Sequence, residues 1–265
     1  MCLDRPRDPL PTSVETCPPL PAEYHDSLDR ALGSLGLILE PRVRQAIDGH
    51  VRLLVAWNAA INLTSVRDPA QIAIRHVADS LTAVRPLEDA GINALLDLGS
   101  GGGFPGLPLA AALSGVEALL VDSVGKKARF LEIAVNAVGL PNRVRVGAVR
   151  AEALAADGRH RERWPAVTVR AVAPLAELVE LAFPLLVPGG LLVAWKSADA
   201  EDEQAAARRA IDALGGGSIE VRRTPVDEAV LGALAGHCLV LVRRGDRAVA
   251  SVYPRDPAVR RRQPW

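Results

Sequence analysis

The fold of this chain is decided by one stretch, Leu95-Leu96-Asp97-Leu98-Gly99-Ser100-Gly101-Gly102-Gly103-Phe104-Pro105-Gly106. A short apolar run ends in an acidic residue and breaks into a glycine-rich turn, and residues 107–113 form a helix-compatible run. This order predicts a strand, a tight loop and the start of a helix, whose unpaired N–H groups and positive dipole end favour a ligand. Five glycines among residues 99–106 cost too much backbone entropy for a mere connection, so we predict a nucleotide-like ligand here.

The register of the glycines indicates which ligand the loop does not suit. Gly101, Gly103 and Gly106 formally match the dinucleotide fingerprint G-x-G-x-x-G, but the first glycine of that fingerprint closes the strand directly. Here Asp97 and Gly99 come before it and give Asp-x-Gly-x-Gly. An acid at the end of the strand suits a cationic ligand, such as the amino group of a methionine, better than a nicotinamide dinucleotide.

The bulk composition bounds the class of protein. The chain has 265 residues and a mass of 28.0 kDa, which suits one α/β domain with a small appendage, and 49% of its residues are hydrophobic. Its 31 basic residues balance 31 acidic ones, so any contact to nucleic acid needs a local patch. Three scattered cysteines, without a signal-peptide pattern or a membrane-spanning run, predict a soluble cytoplasmic protein, and no spacing of metal ligands is present.

Four segments are expected along the chain. Residues 1–22 carry six prolines and little periodicity, so we predict that they are disordered. Residues 23–90 show apolar side chains at helical spacing and predict a helical cap, in which Asp68 and Pro69 begin one helix. Residues 91–250 alternate between strands and helices, and residues 251–265 form a basic tail.

The alternation predicts an α/β fold of the Rossmann-like kind, with a mostly parallel sheet. The candidate strands are residues 94–98, 118–122, 144–146, 166–170 and 191–195, and the helices between them are residues 107–113, 126–138 and 175–186. Residues 218–223 and 238–243 resemble strands but flank a loop-rich segment, so we expect a C-terminal antiparallel hairpin.

Charged residues follow three of the predicted strands, at the edge where open α/β sheets bind ligands. Asp122 lies about 20 residues past the loop, where an acid accepts hydrogen bonds from ribose hydroxyls. Glu152, in Ala151-Glu152, follows the third strand at the position of an adenine, and Arg170 ends the fourth. Plainer alternatives stay open, because Asp122 could cap a helix, Glu152 could be a solvated acid and Arg170 could extend to the surface.

A further polar cluster lies in the helix that begins at Asp68. Arg75, His76, Asp79 and Ser80 fall off its apolar stripe, in i,i+4 pairs. The functional interpretation is a cluster that projects from the cap over the ligand cleft. The alternative is an ordinary ion pair between Arg75 and Asp79 on a solvated helix face.

Together these motifs resemble the bacterial small-subunit ribosomal RNA guanine-N7 methyltransferases, the glucose-inhibited division protein B family. The resemblance covers residues 50–245 and rests on an ordered series of motifs: Asn62-Leu63-Thr64, Arg75-His76, Asp79-Ser80-Leu81, the loop from Asp97 to Gly106, Asp122-Ser123, Lys126-Lys127, Arg129-Phe130-Leu131, Ala151-Glu152 and Arg170-Ala171. Two departures occur, since Val169-Arg170-Ala171 stands for Ser-Arg-Ala and Lys196-Ser197 for Lys-Gly.

The resemblance implies a class I methyltransferase fold, S-adenosylmethionine as the cofactor and 16S ribosomal RNA as the substrate. Together with the acids that follow the strands, the candidate cofactor-binding residues are Asp97, Gly99, Gly101, Phe104, Asp122, Ala151, Glu152 and Arg170. The candidates for holding the base are His76, Asp79, Ser80 and Arg170. Guanine N7 carries a lone pair and no proton, so no general base is required and we expect catalysis by positioning.

The expected partner is the small ribosomal subunit or one of its assembly intermediates, because a net charge of +0 predicts weak affinity for naked RNA. Phosphate contacts are expected from Arg159, Arg161, Arg163 and the tail residues Arg260-Arg261-Arg262. We expect a monomer. Two alternatives stay open, namely a class I methyltransferase for a small molecule and a non-catalytic module that binds S-adenosylmethionine or RNA.

Overall fold

One seven-stranded sheet forms the centre of the computed structural model, which describes residues 9–170, 173–197, 200–224 and 232–265. The strands are β1 (Ala94–Leu98), β2 (Glu117–Val121), β3 (Val144–Gly147), β4 (Trp164–Arg170), β5 (Leu186–Lys196), β6 (Gly217–Arg223) and β7 (Cys238–Arg244). Their spatial order is β3-β2-β1-β4-β5-β7-β6, with β1 to β5 parallel and β7 antiparallel to both neighbours. The predicted α/β fold with its closing antiparallel hairpin is confirmed.

Helices surround the sheet. The cap contains α1 (Ala22–Ser34), α2 (Pro41–Ile61), α3 (residues 69–81) and α4 (Val84–Asp89). The later helices are α5 (Gly106–Ala112), α6 (Gly125–Ala137), α7 (Ala151–Ala156), α8 (Leu175–Ala182), α9 (Ala200–Ala213) and α10 (Pro257–Arg262). Helices α5, α6, α7 and α8 each connect two consecutive parallel strands. Helices cover both faces of a sheet connected in this way, which is why both of its faces are apolar.

Two apolar cores lie on opposite faces of the sheet. Successive side chains of a strand point to opposite faces, so Leu95 packs into the core under the cap while Leu96 packs against the helices of the other face. In β4, Ala166 belongs to the cap face and Val167 to the other. This alternation determines on which face each strand-end side chain opens.

Helix α3 begins as its sequence predicts and then widens. The Asp68 carboxylate accepts a hydrogen bond from the Gln71 N–H at 2.8 Å, and Pro69 occupies the first turn. Its middle part, Ala73–Ala78, is π-helical and contains two residues of the predicted polar cluster, Arg75 and His76. Such π-helical turns occur frequently at functional sites.

The N-terminal segment differs from its prediction of disorder. Residues 1–8 lie outside the described residues, but residues 9–22 pack against α2. The Trp57 indole N–H donates to the Pro11 carbonyl at 2.7 Å, Arg52 Nε donates to the Pro18 carbonyl at 2.9 Å, and Cys17 is buried. Proline-rich chain leaves its carbonyls without partners of its own, and donors on α2 satisfy them here.

Two further findings concern the kind of site. Within the described ranges, we find no helix with both the length and the apolar character needed to cross a membrane. The same residues contain no group of three or more His, Cys, Asp or Glu side chains placed to hold a metal ion. The titratable side chains of interest instead gather at the carboxyl ends of the parallel strands.

Candidate active site

The glycine loop after β1 takes a backbone path that requires glycine. Gly99, Gly101 and Gly103 have φ values of 73°, 56° and 92°, in the left-handed region that other residues avoid. A Cβ on Gly103 would lie 2.6 Å from Nε2 of His50, so the loop is also packed tightly against the cap. Both the path of the loop and its packing therefore depend on glycine at these positions.

Asp97 lies behind the loop and is fully buried. Its carboxylate accepts hydrogen bonds from the Gly106 N–H at 3.2 Å and from the Thr168 hydroxyl at 2.8 Å. Burial raises the pKa of Asp97, and the hydrogen bond from the Thr168 hydroxyl opposes that rise. One carboxylate oxygen thus binds the start of α5, and the other binds strand β4. The structure places Asp97 as a support of the loop, whereas the sequence predicts a direct ligand contact.

Asp122 joins the loop to the next helix. One carboxylate oxygen accepts a hydrogen bond from the Gly101 N–H at 3.0 Å, and the other accepts one from the Val124 N–H at 2.8 Å. The N-cap of α6 is Val124, without a side-chain cap, so Asp122 closes the turn before the helix and the capping alternative is wrong. The carboxylate also lines a cavity beside the loop, and these hydrogen bonds are compatible with ligand binding because each oxygen has a second lone pair.

A first cavity of about 320 Å³ opens beside the loop. Four of the predicted cofactor-binding residues line it: Gly99, Asp122, Ala151 and Glu152. Apolar walls come from β1, β2, β4 and α8 through Leu98, Val121, Val169, Leu178 and Leu181. An adenosine ligand needs three features, and this cavity has them. They are apolar walls for the planar base, a carboxylate that accepts from the ribose hydroxyls, and a glycine that lets the backbone approach closely.

A second cavity of about 470 Å³ lies between the cap and the ends of β4 and β5. Its walls include three of the predicted base-holding residues, His76, Asp79 and Arg170, together with Val66, Arg75, Trp195, Lys196, Ser197 and His237. The structure therefore brings together residues from the cap and from two strands, as the sequence predicts for Asp79 and Arg170.

Asp79 is the centre of this second cavity, and its side chain is 3% exposed. Its carboxylate accepts a hydrogen bond from Nη1 of Arg170 at 3.2 Å and lies 3.3 Å from Nδ1 of His237. The Trp195 indole N–H donates to the Asp79 carbonyl at 2.8 Å. Burial lowers the pKa of Arg170, and the Asp79 carboxylate opposes that change. Asp79 pairs with Arg170 across the cleft, rather than with Arg75 one helical turn away.

His76 connects the cap to the glycine loop. Its Nε2 lies 2.6 Å from the hydroxyl of Thr64, and its ring stacks on Phe104 with centroids 4.9 Å apart. Burial and the nearby Arg170 charge lower the pKa of His76 to about 4, so the ring is neutral at pH 7. A neutral imidazole in this position orients the loop and one wall of the cavity, without supplying a positive charge.

Phe104 and Ser80 lie elsewhere than predicted. The Phe104 ring packs between His50 and His76, with the Arg170 guanidinium 5.4 Å from its centroid, so it anchors the loop to the cap. Ser80 is fully buried, and its hydroxyl donates to the His76 carbonyl within α3. The Ser80 hydroxyl therefore serves the widened helix, and Ser80 does not line the second cavity.

The two cavities flank the end of β4. Val169 belongs to the core of the outer helices and lines the first cavity, whereas the next residue, Arg170, lines the second. Because neighbouring strand residues point to opposite faces, one strand end serves both cavities. Arg170, predicted to bind the cofactor, contributes its side chain to the second cavity. Ala171, which follows it in the motif, lies outside the described residues.

Trp195, Lys196 and His237 line the second cavity, although they were not among the predicted site residues. The carboxyl end of β5 could have indicated the first two, since ligands bind where parallel strands end. His237 directly precedes β7, whose first residue, Cys238, pairs with Lys196 because the strands are antiparallel. The start of the reversed strand thus meets the same edge of the sheet.

Three of the six basic residues predicted to bind phosphate, Arg159, Arg161 and Arg260, have partners within the protein. Arg161 donates to the carbonyls of Val249, Ala250 and Tyr253, and Arg260 is buried beside the first cavity. Arg159 is exposed but pairs with Asp157. Among these candidates, Arg163, Arg261 and Arg262 present exposed side chains.

The sheet order, the glycine loop after β1 and the acid after β2 define the fold of the class I S-adenosylmethionine-dependent methyltransferases. The residues of the first cavity fit the adenosine part of that cofactor. A solved O-methyltransferase from Bacillus cereus, in complex with S-adenosylhomocysteine, has the same fold. It is 17% identical in sequence, with a TM-score of 0.54 over 74% of this chain and 91% of that one.

The family follows from sequence comparison. The model of the rRNA small subunit methyltransferase G family matches residues 43–226, and the chain belongs to this family. The ribosomal RNA small subunit methyltransferase G of Roseiflexus sp. strain RS-1 is 38% identical over 239 residues, 90% of this chain and 99% of that protein. That of Deinococcus deserti is 41% identical over 230 residues, 87% and 91% of the two chains. The resemblance predicted from the motifs is confirmed.

Proposed function

We propose that the protein transfers the methyl group of S-adenosylmethionine to N7 of a guanine in small-subunit ribosomal RNA. The observation that carries this proposal is that two consecutive residues at the end of β4, Val169 and Arg170, line the first and the second cavity respectively. A cofactor in the first cavity and a base in the second would be presented to each other across the end of β4. The names of the relatives support ribosomal RNA as the acceptor.

The chemistry asks little of the protein beyond positioning. The bound cofactor supplies a methyl group that its sulfonium already activates. Guanine N7 carries a lone pair and no proton, so the side chains need only hold the base in line and exclude water. The neutral His76 ring and the engaged Asp79 carboxylate agree with this view, because neither is placed as a free proton acceptor.

The second cavity has donors suited to guanine. Beside N7, guanine presents O6, an acceptor, where adenine presents an amino donor. Arg75, Arg170 and Lys196 bring cationic donors to the cavity, and Trp195 offers an aromatic surface. Donors beside the reacting nitrogen favour guanine over adenine, and a base outside its stack is commonly held against aromatic side chains.

We propose a folded subunit or assembly intermediate, rather than a short RNA, as the substrate. The net charge of +0 supports this, as does the pairing of Arg161 and Arg260 within the protein. Protein–RNA affinity rises with the number of phosphates that free basic side chains neutralise. We also propose that the protein is cytoplasmic and monomeric. Sedimentation at micromolar concentration would test the monomeric state.

Transfer of labelled methyl groups to purified small subunits, followed by mapping of the modified base, tests the proposal. We expect one labelled guanine that becomes sensitive to cleavage at an N7-methyl site, and loss of the label when this guanine is changed to adenine. Label in protein, in a small metabolite or in an adenine would refute the proposal. Equal methylation of a naked hairpin would refute only the choice of a folded particle.

A further inference from the structure

The C-terminal helix α10 reaches the first cavity, although it lies outside the stretch that the family model matches. Arg260 is 8% exposed and lines the cavity, whereas its neighbours Arg261 and Arg262 are exposed. Burying a charged guanidinium is costly unless partners satisfy it. The partners of Arg260 therefore show what this segment does at the cavity.

Arg260 bridges two walls of the cavity. Its Nη2 donates to the Glu152 carboxylate on α7, and its Nε donates to the Glu177 carboxylate on α8 at 3.1 Å. Both glutamates line the same cavity. A planar guanidinium with several fixed donors can hold two carboxylates at once, which a lysine ammonium does with less geometric control. One residue of α10 thus joins the helices on either side of the cavity.

The tail that carries Arg260 is itself firmly attached. Arg255 pairs with the buried Glu180 of α8 at 2.7 Å, and the Trp265 indole N–H donates to the same carboxylate at 2.7 Å. The Arg255 guanidinium also lies 4.6 Å from the centroid of the Trp265 ring. Burial raises the pKa of Glu180, but the Arg255 hydrogen bonds outweigh it and the net shift is downward. Residues 255–265 are therefore packed against α8 as an ordered part of the fold.

We propose that Arg260 is a positioning residue of the cofactor site, which holds Glu152 and Glu177 together and so sets the width of the adenosine end of the first cavity. The inference rests on the proposed function only in taking this cavity as the cofactor site. Without the guanidinium, two carboxylates on facing walls would repel each other, and Glu152 would turn towards solvent. The affinity for the cofactor should then fall, while the second cavity should keep its geometry.

Binding of S-adenosylhomocysteine by calorimetry tests the proposal, with Arg260→Met compared with the exposed control Arg261→Met. We expect the dissociation constant to rise about tenfold in R260M, to stay within about twofold in R261M, and to take an intermediate value in R260K. In kinetics, KM for S-adenosylmethionine should rise in R260M by the same factor, with kcat at saturating cofactor retained. Equal binding by R260M and R261M would overturn the role of Arg260.

A measurement without ligand separates positioning from general stability. Amides of α7 and α8 should exchange hydrogen faster in R260M than in R261M, while amides of β1 and β4 keep their wild-type protection. Faster exchange throughout the sheet, in step with the loss of affinity, would mean a merely structural residue and contradict the inference. Should R260M not fold, Glu177→Gln removes one arm of the bridge at a side chain that is 36% exposed, and unchanged affinity there would equally contradict it.

Binding of S-adenosylhomocysteine to the wild-type protein distinguishes a failure of the proposed function from a failure of the role of Arg260. Failure of the wild type to bind S-adenosylhomocysteine at micromolar concentration would remove the proposed function and the role of Arg260 together. Wild-type binding that R260M, R260K and E177Q leave unchanged would remove the role of Arg260 alone and leave the cofactor site in place.

Discussion

The carboxylate of Asp79 and the guanidinium of Arg170 form a buried ion pair at 3.2 Å, although 91 positions separate them in the sequence. Asp79 lies in a cap helix and Arg170 at the end of a sheet strand. Their contact joins the two parts of the protein beside the loop that carries the cofactor motif. The position of the cap is therefore coupled to the end of β4, where consecutive residues line the two cavities.

Replacing Asp79 should separate base holding from cofactor binding. In Asp79→Asn the second cavity loses the carboxylate that orients Arg170 and His237. We expect methyl transfer to small subunits to fall at least about 100-fold, because misplacing the acceptor costs most of the benefit of positioning. The dissociation constant of S-adenosylhomocysteine should change less than about threefold.

The matched control for this experiment is Asp89→Asn, which makes the same charge change at a side chain that is 73% exposed. Breaking a buried ion pair also lowers folding stability by about 3 kcal/mol, so urea unfolding must accompany the kinetics. A D79N protein that transfers methyl groups at the wild-type rate would show that Asp79 does not hold the acceptor.

Replacing Asp122 should have the opposite signature. Asp122→Asn removes the charge that lines the first cavity and accepts from the Gly101 N–H. We expect the affinity for S-adenosylhomocysteine to fall by about 10- to 100-fold, which corresponds to the loss of charge-assisted hydrogen bonds. Calorimetry checks this against Asp26→Asn on the exposed face of α1. Wild-type affinity in D122N would exclude a ribose contact.

Gly106 should tolerate no side chain. A Cβ there would lie 2.4 Å from Cδ2 of Leu120 and 2.6 Å from the Asp97 carboxylate. Gly106→Ala should therefore destabilise the fold by about 1–3 kcal/mol, as overpacking does, and should weaken cofactor binding. The control is Gly33→Ala in α1, where nothing lies within 4 Å and a small gain in stability is expected. Equal unfolding midpoints in urea would contradict the tight packing of the loop.

Acid should destabilise the protein through two buried histidines. His50 is fully buried, and burial lowers its pKa to about 4; burial also lowers the pKa of His76 to about 4. The reference pKa of histidine is about 6.5, so between pH 6.5 and 4 the unfolded chain binds more protons than the folded one. Stability is therefore lost as pH falls through this window, by up to about 3 kcal/mol for each ring.

Urea unfolding at pH 7, 6, 5 and 4 measures this slope. His50 Nε2 lies 2.7 Å from the Gly102 carbonyl, and His50→Gln keeps a donor for that carbonyl but does not titrate. H50Q should be less stable than the wild type at pH 7 and lose less stability on acidification. Identical slopes for the two proteins would show that His50 does not carry the acid sensitivity.

The site was predictable from the sequence where local patterns determine it. Asp97, the glycines after it and Asp122 are placed by the strand–loop–helix order alone, and the structure puts them around one loop. Their exact partners were not predictable. The Asp97 carboxylate is buried because it accepts hydrogen bonds from the Gly106 N–H and the Thr168 hydroxyl. Thr168 belongs to β4, which comes much later in the chain, so this partner could not be read from the local sequence.

The sequence by itself determined the fold class, the parallel strands, the closing hairpin and the family, because periodicity and glycine spacing act through local geometry. Tertiary structure alone decided which side chains share a cavity. The alternation of Val169 and Arg170 across the sheet places one side chain in the first cavity and the next in the second. Packing of the cap and tail then brings His237 to Asp79 and Arg260 to Glu152. Such long-range contacts depend on how whole elements pack, which no local pattern specifies.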